Sequence, residues 1–328
     1  MIAAATGTVP YALAFSPDSK FLAVGMLNGA VQLWNTATLT PAVKLREPGE
    51  HFEGVLDVAF SRDGTLLASC DGKSTTLWNV AARKEIATLT DTEIDPVVVQ
   101  SLAFHPHGNI LACANMHATV NLWDTGTHEK VATLIDPIGY TRSPNKSVES
   151  VAFSPDGKTI ATSHEARNVR FWNVFTHEII STIDGLELSV LELAYSPDGT
   201  LLAGGTASLR TRDGQIKLWS AASRKDVATL TVPPLVTSGD STPSKDRIAR
   251  YVNSVQFSPD GETLVGSVNG DALIVRWDVS TRKIVDVVDT RIYREDPDYD
   301  TAHPVRLSPD GTMVTAGLLG EVALWRLP

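Results

Sequence analysis

The sequence predicts an all-β fold in which seven four-stranded antiparallel sheets stand radially in a closed ring. Three observations lead there. First, all seven tryptophans occupy one place in a repeating unit, as Leu33-Trp34-Asn35, Leu77-Trp78-Asn79, Leu122-Trp123-Asp124, Phe171-Trp172-Asn173, Leu218-Trp219-Ser220, Arg276-Trp277-Asp278 and Leu324-Trp325-Arg326. Second, a turn of the form Ser-Pro-Asp-Gly keeps step with them. It stands at 16–19, 61–64, 105–108, 154–157, 196–199, 258–261 and 308–311, with Ser16-Pro17-Asp18-Ser19, Ser61-Arg62-Asp63-Gly64 and His105-Pro106-His107-Gly108 as the variants. Third, the last unit stops after its tryptophan strand, while a spare strand-like stretch, Ile2-Ala3-Ala4-Ala5-Thr6, precedes the first. A repeat with this period outweighs length as a guide to domain count.

Each unit reads as four short strands. The first alternates apolar and polar residues, as in Val148-Glu149-Ser150-Val151-Ala152-Phe153, which is the signature of a strand with two distinct faces. The Ser-Pro-Asp-Gly that follows supplies a hairpin turn, since Pro presets φ, Asp bonds its own backbone and Gly accepts positive φ. A second strand follows (Leu66–Ser69, Ile160–Ser163, Leu201–Gly204). The third carries the tryptophan (Val120–Trp123), and the fourth recurs as Glu85–Leu89, Lys130–Leu134 and Asp226–Leu230. One such sheet cannot bury both faces; stacked neighbours can, and radial stacking leaves only short outer edges. The chain is therefore expected to be a seven-bladed β-propeller, with Ile2–Thr6 pairing beside Glu321–Trp325 to close the ring.

Composition narrows the function classes. The net charge of −10 opposes a primary nucleic-acid role, because phosphate binding needs basic surface, and it is the wrong sign for an anionic membrane. No apolar run approaches the roughly 20 residues of a membrane span. Cys70 and Cys113 are expected to be small buried residues outside any disulfide, which permits a reducing compartment; a cytoplasmic location is the expectation. The amino terminus lacks the basic residue of a signal peptide and reads as structure.

These units resemble the WD-repeat family of β-propellers, and the resemblance spans essentially all of residues 1–328 as a single domain. It implies a scaffold or assembly role, as a monomer or as a module of a larger protein. The chain also departs from the family pattern. Only Glu50-His51 approaches the family's Gly-His pair. The turn aspartate before tryptophan survives as Asp213 and Asp271, with Asn28 as a near equivalent, and elsewhere the place holds Gly72, His117, Ala166 and Leu319. The hydrogen-bond networks that the resemblance implies around tryptophan are thus expected to be mostly missing, leaving stability to apolar packing between blades.

Departures from the repeat locate the candidate site. Connections between strands two and three, and from strand four to the next blade, share one rim. The four enlargements all fall there: 135–146, 207–213, 231–250 and 289–304. They carry Tyr140, Arg142, Arg210, Arg212, Arg247, Arg250, Arg291, Tyr293, Arg294 and Tyr299, with Tyr251 just beyond, and Tyr and Arg are enriched at binding hot spots. The acidic run Asp296–Asp300 lies among them. In the innermost strands five units place alanine near the axis (Ala14, Ala59, Ala103, Ala152, Ala194), where the last two have Gln256 and Arg306. A charge there needs a partner. Arg306 reads either as half of an internal pair, with Glu192 for example, or as a ligand-facing group.

The eight histidines form no constellation in the sequence. His105-Pro106-His107 replaces a turn, and His128 and His177 recur in Thr-His-Glu turns. His117 and His164 sit on the elaborated rim of adjacent blades, where a metal or proton role is conceivable. Gly239-Asp240-Ser241 lacks the context of a serine nucleophile, and there is no Gly-rich phosphate loop. The expectation is a non-enzymatic scaffold, without cofactor or metal, that binds a protein or peptide through the rim of blades four to seven and the channel mouth. Its binding residues would be Tyr140, Arg142, Arg210, Arg212, Arg247, Arg250, Tyr251, Tyr293, Arg294 and Arg306. The alternative is a propeller-type hydrolase or lyase whose channel carboxylates, Asp57, Glu149 and Glu192, would act around Arg306.

Overall fold

The computed structural model describes residues 2–49, 54–92, 98–135, 147–207, 214–232, 251–269, 273–290, 304–318 and 320–327. Among them every regular element is a β-strand, arranged as seven antiparallel four-stranded blades. The innermost strands are Pro10–Phe15, Asp57–Phe60, Val99–Phe104, Val148–Phe153, Ser189–Tyr195, Tyr251–Phe257 and Val305–Leu307. Each runs from the elaborated rim to the plain one.

The count of seven and the closure follow from packing. Each pair of neighbouring blades, including the last with the first, shares its own apolar cluster. Between blades three and four, for example, Ala112, Val120, Leu122 and Leu134 meet Val148, Val151, Ile160 and Trp172. Every blade thus hides both faces, as the periodicity requires. The seventh blade is completed by Ile2–Ala5, which pairs antiparallel with Glu321–Arg326 in the register Ile2↔Leu324, Ala3↔Ala323, Ala4↔Val322 and Ala5↔Glu321. Thr6 N–H extends the clasp to the Gly320 carbonyl at 2.9 Å.

The Ser-Pro-Asp-Gly turns form a second ring on the plain rim. In each, the serine hydroxyl donates to the aspartate, as Ser196 does to Asp198 at 2.6 Å, and it accepts the N–H that begins the next strand, as from Leu201 at 2.9 Å. Glycine suits the positive φ of these turns, which Ser19 adopts in blade one. Gly199 has φ +70°, and the space where its Cβ would stand is bounded by Pro155 of the preceding blade's turn at 3.5 Å. In blade three the histidines take over this packing: His105 Nε2 lies 3.0 Å from the Gly157 carbonyl and His107 Nε2 lies 2.9 Å from that of Pro155. They act as blade-to-blade links.

Two features depart from the sequence expectation. Blades five and six are joined by a backbone pair, Ala207↔Tyr251, on the elaborated rim. The approach depends on Gly205, whose Cβ would stand 2.5 Å from the Val252 carbonyl oxygen. The tryptophan networks also survive in two blades. Trp78 Nε1 donates to Ser69 Oγ at 2.9 Å, and Trp172 Nε1 donates to Thr162 Oγ1 at 2.9 Å, which in turn bonds His164 Nε2 at 2.8 Å. In blades one and five the expectation is met. At the equivalent positions blades one and five carry Val24 and Gly204, which offer no oxygen, and the buried indole N–H groups of Trp34 and Trp219 have no partner.

Candidate functional site

The channel is built from three tiers of side chains, set by a backbone irregularity repeated around the ring. The innermost strands of blades one, three, four, five and six each carry a β-bulge, the device by which a strand re-aims a side chain. The bulged residues are Tyr11, Gln100, Glu149, Leu191 and Asn253. They line a cavity of about 280 Å³ at the mouth on the elaborated rim. A second cavity of about 380 Å³ lies toward the plain rim, walled by Ala14, Ala59, Ala103, Ala152 and Ala194 together with Gln256. Asp57, Ser101, Ser150, Glu192 and Arg306 border both cavities and form the waist between them.

The waist is a chain of staples from blade to blade. Asp57 Oδ2 accepts Leu102 N–H at 2.8 Å, Ser101 Oγ accepts Val151 N–H at 3.3 Å, and Ser150 Oγ accepts Leu193 N–H at 3.1 Å. Glu192 Oε2 accepts Val255 N–H at 2.8 Å, and Ser254 Oγ accepts Val305 N–H at 3.2 Å. Gln256 adds a further link by accepting Leu307 N–H at 2.9 Å. An innermost strand has no further strand to bond on its axial side, so these side chains satisfy donors that would otherwise depend on channel water. Blade one has Ala12 at this place and cannot staple Val58; Asp57 Oδ1 accepts that N–H itself at 2.8 Å.

Of the ten residues expected to bind, Tyr140, Arg142, Arg210, Arg212, Arg247, Arg250, Tyr293 and Arg294 lie outside the described residues, as do Arg291, Tyr299, Asp296–Asp300, Glu50-His51, Asp213, Asp271 and Leu319. Tyr251 is half-buried at the rim, in the backbone pair that links blades five and six. Arg306 forms the internal pair: its Nη2 is 2.9 Å from Glu192 Oε1, and its Nη1 donates to Ser254 Oγ at 2.8 Å and to the Val305 carbonyl at 3.0 Å. His117 is exposed in its turn, whereas His164 is buried in the tryptophan network. Cys70 and Cys113 are free and buried, as expected. Burial pushes the Cys113 thiol up to about 12 and that of Cys70 well above its ordinary value, so both remain protonated at neutral pH. Of the mouth tier only Glu149 was anticipated, as a channel carboxylate. The tier's only other trace in the sequence is that Gln100, Leu191 and Asn253 precede the staple residues in register with Glu149.

Two sets of carboxylates respond to acid with opposite sign. Burial pushes Asp57 up to about 6, against the opposing pull of the Arg306 guanidinium and the Leu102 N–H. A raised folded-state pKa makes a contribution that is present below the unfolded value of about 3.9 and lost as pH rises through about 6. The turn aspartates Asp18, Asp63, Asp156, Asp198 and Asp260 are held low, chiefly by their serine hydroxyls. Their contribution is present above about 3.9 and lost as pH falls through the lowered values. Urea midpoints are therefore expected to rise from about pH 7 to 5 and to drop below about pH 4. Asp57→Asn should flatten the upper limb and leave the acid limb; an unchanged upper limb would refute the assignment to Asp57.

Comparison with known proteins agrees with this geometry. The WD domain, G-beta repeat model matches residues 3–35, 43–79, 84–124, 136–173, 178–220 and 244–278, more than half of the chain. A typical matched segment runs from one blade's outer strand to the tryptophan strand of the next, so the repeat in sequence is offset from the blade by one strand. An uncharacterized WD repeat-containing protein of Synechocystis sp. is 29% identical over 136 residues, which is 40% of this chain and 36% of that protein. The chain thus matches about a third of that relative's length. Among solved structures, the β-propeller domain of Cps50 (Swd1) from Myceliophteria thermophila superposes with a TM-score of 0.77 over 100% of both chains at 18% identity, a likeness of fold. Propellers of this family generally act as non-catalytic scaffolds and bind protein partners. With six matched repeats and seven tryptophan-bearing blades in one closed ring, the chain belongs to the WD domain, G-beta repeat family.

Proposed function

We propose that this chain is a non-catalytic scaffold that binds a protein or peptide segment across the rim of blades four to seven and the adjoining channel mouth. One observation carries the reading: the strands that flank all four chain enlargements end on the rim where the mouth cavity opens. These ends are Ile135 and Val148, Ala207 and Gln215, Thr231 and Tyr251, and Asp289 and Val305. The strands on either side of the Tyr- and Arg-rich segments therefore end on one rim, and aromatic and guanidinium anchors contribute most to binding. The channel's polar groups support a scaffold over a hydrolase or lyase. Asp57 accepts two backbone N–H groups, and Glu192 is held by Val255 N–H and Arg306, so both carboxylates are committed to joining blades. The two free thiols fit a reducing, cytoplasmic setting.

Affinity capture from the source cells tests the proposal. Arg247→Ala/Arg294→Ala should lose most of the partner that the intact chain recovers, while Lys158→Ala/Lys225→Ala on the plain rim should retain it. Equal recovery by the two variants would reject the assigned rim.

A further inference from the structure

We propose that the mouth cavity receives one cationic side chain, a guanidinium or an ammonium, from the bound segment; this rests on the scaffold reading above. Size comes first. At about 280 Å³ the cavity holds a single long side chain with room for water.

Charge comes next. The charged side chains that border the cavity among the described residues are Asp57, Glu149, Glu192 and Arg306, three carboxylates against one guanidinium. Arg306 is spent on Glu192, Ser254 and the Val305 carbonyl. Its charge also acts on Asp57, whereas Glu149 has another carboxylate, Glu165, close by through their shared contact with Ser147. Burial raises the pKa of Glu149, with the Glu165 charge adding to it; a cation entering here relieves both effects. Coulomb attraction in a partly desolvated channel also exceeds that at an open surface.

A third observation is independent of the carboxylates. The Gln100 amide nitrogen is buried in the cavity wall and has no hydrogen-bond partner. A buried donor without an acceptor is costly, and a turn of this side chain toward the cavity it borders would let the carbonyl oxygen of an incoming residue satisfy it. The mouth tier is also where the ring abandons its repetition. Waist and lower tiers reuse Ser and Ala, whereas the bulges present Tyr11, Gln100, Glu149, Leu191 and Asn253, a set of five different environments around one opening.

The test uses the intact chain and three probes, Nα-acetyl-arginine amide, Nα-acetyl-lysine amide and the neutral Nα-acetyl-citrulline amide, followed by calorimetry or ligand-observed NMR. At least one cationic probe should bind at millimolar concentration or better, with citrulline at least tenfold weaker. Glu149→Gln should weaken the cationic probe by tenfold while the thermal midpoint does not fall, because Ser147 can still donate to the amide oxygen and the buried charge beside Glu165 is removed. Gln100→Leu should weaken all three probes in proportion. Citrulline binding equal to arginine, insensitivity to Glu149→Gln, or no binding of either cation up to tens of millimolar would each overturn the proposal. Partner capture separates the two readings. If Glu149→Gln binds no cation yet captures the partner as wild type does, the rim reading stands and the cation subsite has no part in it. If Arg247→Ala/Arg294→Ala captures as well as wild type while the probes still bind, the rim reading fails and the subsite stands.

Discussion

Replacing residues 1–8 with a single initiating methionine is expected to lower the thermal midpoint by roughly 8 °C or more and to broaden the transition. The clasp contributes four aligned residue pairs and the Thr6 bond to Gly320. At about 1 kcal/mol net per hydrogen bond its loss costs about 4 kcal/mol, and about 2 °C per kcal/mol is a fair scale for a large domain. The cost extends past the strand itself. Ala4 packs on the cluster formed by Leu13, Leu22, Trp34, Met313, Val322 and Leu324, which joins the last blade to the first. Without Ile2–Ala5 the Glu321–Arg326 strand becomes an open edge, and the seam beside it can fray before the other six. Calorimetry or circular dichroism would register this as a calorimetric enthalpy that no longer equals the van't Hoff value. A sharp transition at the wild-type midpoint would show that apolar packing alone closes the ring.

The same seam shows what was legible in the sequence. Blade number, strand order and the clasp could be read because they follow from one repeated element, a tryptophan strand after a Ser-Pro-Asp-Gly turn, and from the strand-like Ile2–Thr6 ahead of the first unit. Arg306 was legible as a charge among alanines that needs a carboxylate, with Glu192 as one candidate, but its choice between that internal pair and a ligand was left to the structure. The mouth tier was not legible as a set. Whether Glu149 faces the axis or the neighbouring blade depends on a bulge, and an extra residue in one strand leaves no mark in an alternating pattern because the bulged residue can be Tyr, Gln, Glu, Leu or Asn. The joining of blades five and six was hidden for another reason. Gly205 reads as one small residue among several, and only the proximity of the Val252 carbonyl reveals why a side chain is excluded there. Likewise, two tryptophan networks persist without the family's turn aspartate, because Ser69 and Thr162 supply the oxygen directly beneath the indole N–H.

Glu192→Ala is the point substitution expected to destabilise the ring most among the channel residues, because one side chain there serves three blades. Its carboxylate accepts Val255 N–H from blade six and pairs with Arg306 from blade seven while standing in blade five. Removing one member of a buried ion pair costs about 3–5 kcal/mol. Arg306 and Glu192 keep 20% and 21% of their side-chain exposure, so water recovers part of that and about 2–3 kcal/mol is expected. Two further variants apportion the loss. Glu192→Gln keeps an oxygen for Val255 N–H and loses only the charge, so it should cost less, about 1–2 kcal/mol. Adding Arg306→Met to Glu192→Ala removes the stranded guanidinium and should restore part of the stability, leaving the unpaired N–H as the residual deficit. Denaturant midpoints at constant m-value give all three numbers, and the coupling between Glu192 and Arg306 follows from the double-mutant cycle. If Glu192→Ala fell within about 0.5 kcal/mol of wild type, the range of an ordinary surface change, the waist would be an incidental set of contacts. The ring would then be held by its apolar seams and its clasp, and the channel charges would be free to serve a ligand instead.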